Sequence, residues 1–236
     1  MKKVGYYGYP EPGLLELWQR RLGGELLDLD IDMGSPEAGL VPKAYCRIIT
    51  NIVNNAMALR DKLGVIVASV GEEKCCQGRF AAWLLKDLGF RVVESRYLEG
   101  RRREVTIATS TLPLREKVLR IMDTVHTPNR ESFPRSRPTV GFWGVPPSDL
   151  AILDLFPDST HVFGWTRCVE AGVPADLELE CKVEPGVRTV FFSQAFCAKQ
   201  ALARHLAEKH RGLYIDADRN LTTSIAARIE AFIRLG

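Results

Sequence analysis

Six cysteines, Cys46, Cys75, Cys76, Cys168, Cys181 and Cys197, are the residues of this 236-residue chain best suited to chemistry. A thiolate is both a nucleophile and a soft metal ligand. It is favoured where a helix begins, because unpaired N–H groups and the positive dipole end lower the thiol pKa. Cys46 falls in the first turn of a predicted helix, and Cys76 and Cys197 each precede one. Thiols at three helix starts can converge on one point. The spacing contains no C-x-x-C pair, which argues against a zinc ribbon or a thioredoxin-like motif. What remains is metal or redox chemistry with sulfurs gathered from separate loops.

The elements that must position these thiols form a repeated phrase. In the second half an apolar strand, Val187 to Phe192, leads to the loop with Cys197, a helix from Ala201 to His210, a strand from Leu213 to Asp216 and a helix from Ser224 to Leu235. In the first half a strand from Gly64 to Ser69 leads to Cys75 and Cys76, a helix from Phe80 to Leu88 and a strand from Arg91 to Glu94. The openings repeat too. Val4-Gly5-Tyr6-Tyr7-Gly8 matches Val140-Gly141-Phe142-Trp143-Gly144, and each precedes a helical stretch and a further strand, Leu26 to Ile31 and His161 to Gly164. Near-continuous apolar strands alternating with helices indicate buried parallel sheets. The predicted fold is therefore α/β, an internal duplication of two similar Rossmann-like lobes with parallel sheets flanked by helices.

Between the repeats lie a long predicted helix from Ala44 to Leu63, a strand-like piece from Val105 to Ala108 and a helix from Leu114 to Val125. A proline-rich stretch with Pro128, Pro134 and Pro138 reads as a linker. The expected organisation is a first lobe over 1–127, a linker over 128–138 and a second lobe over 139–236. A thiol just past the carboxyl end of a parallel strand sits where open α/β sheets bind ligands. That singles out Cys75, Cys76 and Cys197.

Composition narrows the function classes. The chain is 46% hydrophobic and 26% charged with a net charge of +3, ordinary values for a globular protein with a full core. Arg101-Arg102-Arg103 has no interleaved aromatics, so it reads as a solvated loop and a nucleic-acid partner is not expected. No apolar run spans a membrane, and the start lacks a signal-peptide pattern, so a cytoplasmic location is expected. In that compartment six cysteines are not normally disulfides. The chain has no P-loop and no G-x-S-x-G elbow. Cys168 and Cys181 read more simply as small buried side chains.

The closing segment Gly212-Leu213-Tyr214-Ile215-Asp216-Ala217-Asp218 with Arg228-Ile229-Glu230-Ala231-Phe232, preceded by Val190 to Cys197, resembles the end of the 2-hydroxyacyl-CoA dehydratase and benzoyl-CoA reductase superfamily. Gly5-Tyr6-Tyr7, the helix from Pro12, the Cys46 helix and the Gly64 to Cys76 stretch resemble its first half in the same order. The resemblance implies a short member with an iron-sulfur cluster in the cleft between the lobes. A [4Fe-4S] cluster would be ligated by Cys46, by Cys75 or Cys76, and by Cys197. It also implies reductase or dehydratase chemistry driven by low-potential single electrons, an ATP-hydrolysing activator as electron donor, an acyl-CoA substrate class and a dimeric assembly. Double-cubane proteins of the same superfamily suggest an alternative, an [8Fe-9S] reductase or electron carrier in which Cys168 and Cys181 are ligands too. A cluster-binding scaffold without catalysis is the remaining alternative.

Overall fold

The computed structural model describes residues 2–42, 45–71, 74–96, 102–124, 131–174, 176–217 and 220–235. Arg101, part of the predicted linker (128–130) and Asp218 lie outside them. The chain divides into two compact units, Met1–Pro42 with Arg47–Leu98, and Lys43–Cys46 with Glu99–Gly236.

The first unit contains β1 (Lys3–Tyr7), α1 (Pro12–Leu22), β2 (Leu26–Asp28), α2 (Arg47–Ala58), β3 (Leu63–Ser69), α3 (Cys76–Asp87) and β4 (Val92–Ser95). Its four strands are all parallel in the order β2-β1-β3-β4. Successive side chains of a strand point to opposite faces, so β1 and β3 are apolar on both. Val4, Tyr6, Val65 and Val67 pack with Trp18 of α1 on one face. Tyr7 belongs to the other, and its hydroxyl donates to the Gly78 carbonyl of α3 at 2.7 Å.

The second unit contains α4 (Leu114–Asp123), β5 (Val140–Trp143), a 3-10 helix (Leu150–Leu155), β6 (His161–Phe163), α5 (Gly164–Glu170), α6 (Leu177–Cys181), β7 (Arg188–Gln194), α7 (Gln200–Lys209), β8 (Leu213–Ala217) and α8 (Thr223–Leu235). Its sheet is again all parallel, in the matching order β6-β5-β7-β8. Trp143, Phe163 and Phe191 bury one face against Ala203, Leu206 and Ala207 of α7. Phe142, stacked on Phe192 and edge-on to Phe156, fills the other. The α/β fold with two similar lobes anticipated from the sequence is present. No helix among the described residues is long and apolar enough to cross a membrane.

Several local expectations differ from the structure for identifiable reasons. Residues 105–108 form no strand. The N–H groups of Thr106, Ile107 and Ala108 donate instead to the buried carboxylate of Glu170, at 2.7, 2.6 and 2.9 Å. The second strand stops at Asp28, whose Oδ1 accepts the Asp30 N–H at 2.8 Å and turns the chain. α3 begins at Cys76 rather than Phe80, since Gly78 sits in a first turn where it does not break the helix. α4, expected in the first lobe, packs on α5 and β6 of the second unit. It is tied there by the fully buried Lys117, whose ammonium donates to the carbonyls of Asp158 and Thr160 at 2.8 and 2.6 Å. Burial pushes that ammonium down to about 8.

Candidate functional site

In each sheet the chain leaves the two central strands in opposite directions, which makes the crevice at their carboxyl ends the natural ligand position. The switch lies between β1 and β3 in the first unit and between β5 and β7 in the second. Cys75 and Cys76 follow β3, and Cys197 follows β7.

The Cys197 loop is fixed from both ends. Gln194, the last residue of β7, is fully buried. Its side-chain amide donates to the Ala217 carbonyl at 2.9 Å, while its Oε1 accepts the Ser148 N–H and hydroxyl at 3.1 Å each. The Gln194 carbonyl in turn accepts the Cys197 N–H at 3.0 Å. Beyond the cysteine, the Lys199 N–H donates to Cys197 Sγ at 3.5 Å. An N–H directed at sulfur stabilises a thiolate, and hydrogen bonds of this kind raise the potential of a sulfur-ligated cluster. The Lys199 ammonium reaches back to the buried Glu180 carboxylate. Glu180 is positioned by Trp143, whose indole N–H donates to its carbonyl at 2.7 Å. Arg167 adds hydrogen bonds to the carbonyls of Leu179 and Lys182. Burial raises the Glu180 carboxyl pKa and Lys199 opposes that shift.

Between Gln194 and Cys197 stands Phe196, with a left-handed φ of 58° and a side chain 61% exposed. A bulky residue in this region is strained, and such strain concentrates at ligand clamps and active sites. Its ring stacks on Tyr45, with centroids 6.4 Å apart and planes 22° from parallel. Tyr45 is the neighbour of Cys46, and both group with the second unit. The two stacked rings are thus the sequence neighbours of Cys46 and Cys197. Cys46 is half-buried and stands immediately before α2, not within its first turn.

Cys75 and Cys76 are both exposed. Cys75 occupies the position before α3 in an extended conformation (φ −58°, ψ 127°), and its carbonyl accepts the Gly78 N–H at 3.0 Å. Gly78 is not needed for a close approach, since a Cβ there would meet only ordinary contacts at 3.8 Å or more. Cys168 is fully buried in α5, its thiol donating weakly to the Asp176 carbonyl at 3.7 Å, and burial pushes its pKa up to about 12. Cys181 ends α6 and packs beside the Trp143 and Phe191 cluster. Among the described residues, no three His, Cys, Asp or Glu side chains are grouped to hold a metal ion.

Two features escaped the sequence reading. The aromatic–cysteine dipeptides Tyr45-Cys46 and Phe196-Cys197 were a signal for the stacked pair. Asp30 had only the Asp28-Leu29-Asp30 pattern to mark it. It is a buried carboxyl past β2 that accepts the Gly8 N–H at 2.8 Å, and burial, reinforced by Asp28, raises its pKa well above the ordinary range. Comparison with protein-family models and with curated proteins finds no match.

Proposed function

We propose that this chain is an iron-sulfur protein of the reductase or dehydratase kind, with Cys46 and Cys197 as two thiolate ligands. The observation that carries the reading is the Tyr45–Phe196 stack, which joins the two cysteine-bearing loops although they lie far apart in sequence. The resemblance supplies Cys75 or Cys76, both exposed, as the third thiolate. The donor set fits in kind. Cys197 Sγ accepts the Lys199 backbone N–H, while the Lys199 ammonium is taken up by the Glu180 carboxylate. A [4Fe-4S] cluster bound there supplies low-potential one-electron reduction. The chain's own part is to fix the sulfurs, through Gln194 on one side and Lys199 with Glu180 on the other.

The electron donor in this reading is an ATP-hydrolysing activator, the substrate class an acyl-CoA, and the setting the reducing cytoplasm, where six thiols persist without disulfides. The double-cubane alternative, [8Fe-9S], needs six thiolates. Cys168 argues against it, since a thiol whose pKa burial pushes up to about 12 resists becoming a ligand without a large rearrangement. The single-cluster reading is therefore preferred.

Anaerobic purification followed by iron and acid-labile sulfide counting tests the proposal. About four irons per chain, lost in Cys46→Ala and Cys197→Ala and kept in Cys168→Ala, is the expected result. A colourless protein without labile sulfide under strict anoxia, or unchanged iron in Cys197→Ala, refutes it. Calorimetry with an acyl-CoA on the iron-loaded protein separates an enzyme from an electron carrier.

A further inference from the structure

A groove of about 860 Å³ runs along α3 in the first unit, lined by Arg79, Phe80, Trp83 and Lys86 of the helix, by Lys74 just before it and by Glu94 and Arg96 at the end of β4. Its volume is in the range of small-molecule sites, about 300–1,000 Å³. Arg79, Trp83 and Lys86 are spaced four and three apart, so they form one stripe of the helix, with Phe80 beside it. The stripe is roughly 10 Å long at 1.5 Å per residue. Trp83 is 61% exposed and Phe80 38%, two large rings that a core would normally take up.

The charge in the groove is one-sided. Four cations face a single carboxylate, Glu94, which pairs with Lys86 at 2.5 Å and lies 3.9 Å from Arg96. The Lys86 hydrogen bond, and with it the charges of Lys86, Arg96 and Arg79, hold the Glu94 carboxyl below its ordinary pKa, a sign of a positive local field. Two guanidinium groups suit bidentate contacts to phosphate oxygens. A planar heterocycle gains by stacking on an exposed tryptophan.

We propose that this groove is a nucleoside-phosphate site, with Trp83 and Phe80 stacking the base and Arg79 and Arg96 holding the phosphates. The inference rests on the groove alone and stands whether or not the chain binds iron. The nucleoside phosphate is either a free nucleotide or the nucleotide end of a larger coenzyme.

The test is calorimetric titration of the anaerobically purified protein at low ionic strength with ADP, NAD and coenzyme A, beside inorganic pyrophosphate and single-stranded oligonucleotides of increasing length. Saturable one-to-one binding is expected. Tightest binding by ADP names a free nucleotide, and tightest binding by NAD or coenzyme A names a coenzyme. Trp83→Ala should weaken that ligand roughly 5- to 150-fold, the stacking contribution of one base, while leaving pyrophosphate unchanged. Arg79→Ala combined with Arg96→Ala should weaken both. These side chains are exposed, and an unchanged circular dichroism spectrum confirms that the variants fold. The proposal is overturned if no nucleotide binds, if Trp83→Ala has no effect, if pyrophosphate binds as tightly as ADP, or if affinity for the oligonucleotides climbs with length beyond that for ADP.

Discussion

Replacing Phe196 separates two effects that the structure superimposes. The ring stacks on Tyr45, and a geometry of this kind contributes about 0.5–1.5 kcal/mol beyond its buried area. With the side chain 61% exposed, the low end applies. The backbone at φ 58° costs a non-glycine residue about 1–2 kcal/mol, a penalty glycine escapes. Phe196→Ala loses the stack and keeps the strain, so it should destabilise the apo protein by about 0.5–1 kcal/mol. Phe196→Gly loses the same stack but sheds the strain, so it should be about 1 kcal/mol more stable than the alanine variant, despite glycine's greater freedom when unfolded. Urea denaturation under anoxia measures both. A double-mutant cycle with Tyr45→Ala isolates the pair, with about 0.5–1 kcal/mol of coupling expected. Both alanine variants should also retain less iron after desalting. Phe196→Gly less stable than Phe196→Ala would refute the strain argument, and zero coupling with full iron retention would refute the stacked pair as the device that joins the cysteine loops.

Glu170→Ala should cost about 3–6 kcal/mol, because three N–H groups of residues 106–108 lose their acceptor at about 1–2 kcal/mol each; thermal unfolding checks this. Cys168→Ala removes one buried sulfur and should cost about 1 kcal/mol by the same measurement, with iron content unchanged. Gly144→Ala should destabilise by about 1–3 kcal/mol, since a Cβ there would lie 2.6 Å from the Phe192 carbonyl oxygen in the neighbouring strand. His161 is buried, with its pKa lowered chiefly by that burial. Its contribution to stability is complete above the unfolded pKa of 6.5 and is lost as pH falls through that value toward the folded one. His161→Gln should flatten the slope of stability against pH in that window. Asp30 has the opposite form. Its pKa is raised, so stability is complete below the ordinary value of 3.8 and declines as pH rises from there toward the folded pKa, and Asp30→Asn should abolish the decline.

The order of elements was legible because it is written in local patterns. Val65 to Ala68 and Val190 to Phe192 are apolar runs that only a strand buried on both faces accommodates. Their repetition with the Gly5-Gly8 and Gly141-Gly144 openings disclosed the duplication. The placement of Cys75, Cys76 and Cys197 after strands followed from the same patterns. Boundaries fared less well where side chains bond their own backbone, as at Asp28, or where a distant carboxylate replaces a sheet partner, as Glu170 does for residues 106–108.

The sequence by itself therefore determined the α/β class, the two similar parallel sheets and the loops that carry the exposed thiols, all of which depend on neighbours a few residues apart. Only the tertiary structure decided which thiols differ in kind. Cys168 is sealed in a core that raises its pKa, whereas Cys46 stands just before α2, groups with the second unit and neighbours Tyr45 of the stacked pair. The reason is that burial and ring stacking are set by residues remote in sequence, and no local periodicity records which surfaces will meet.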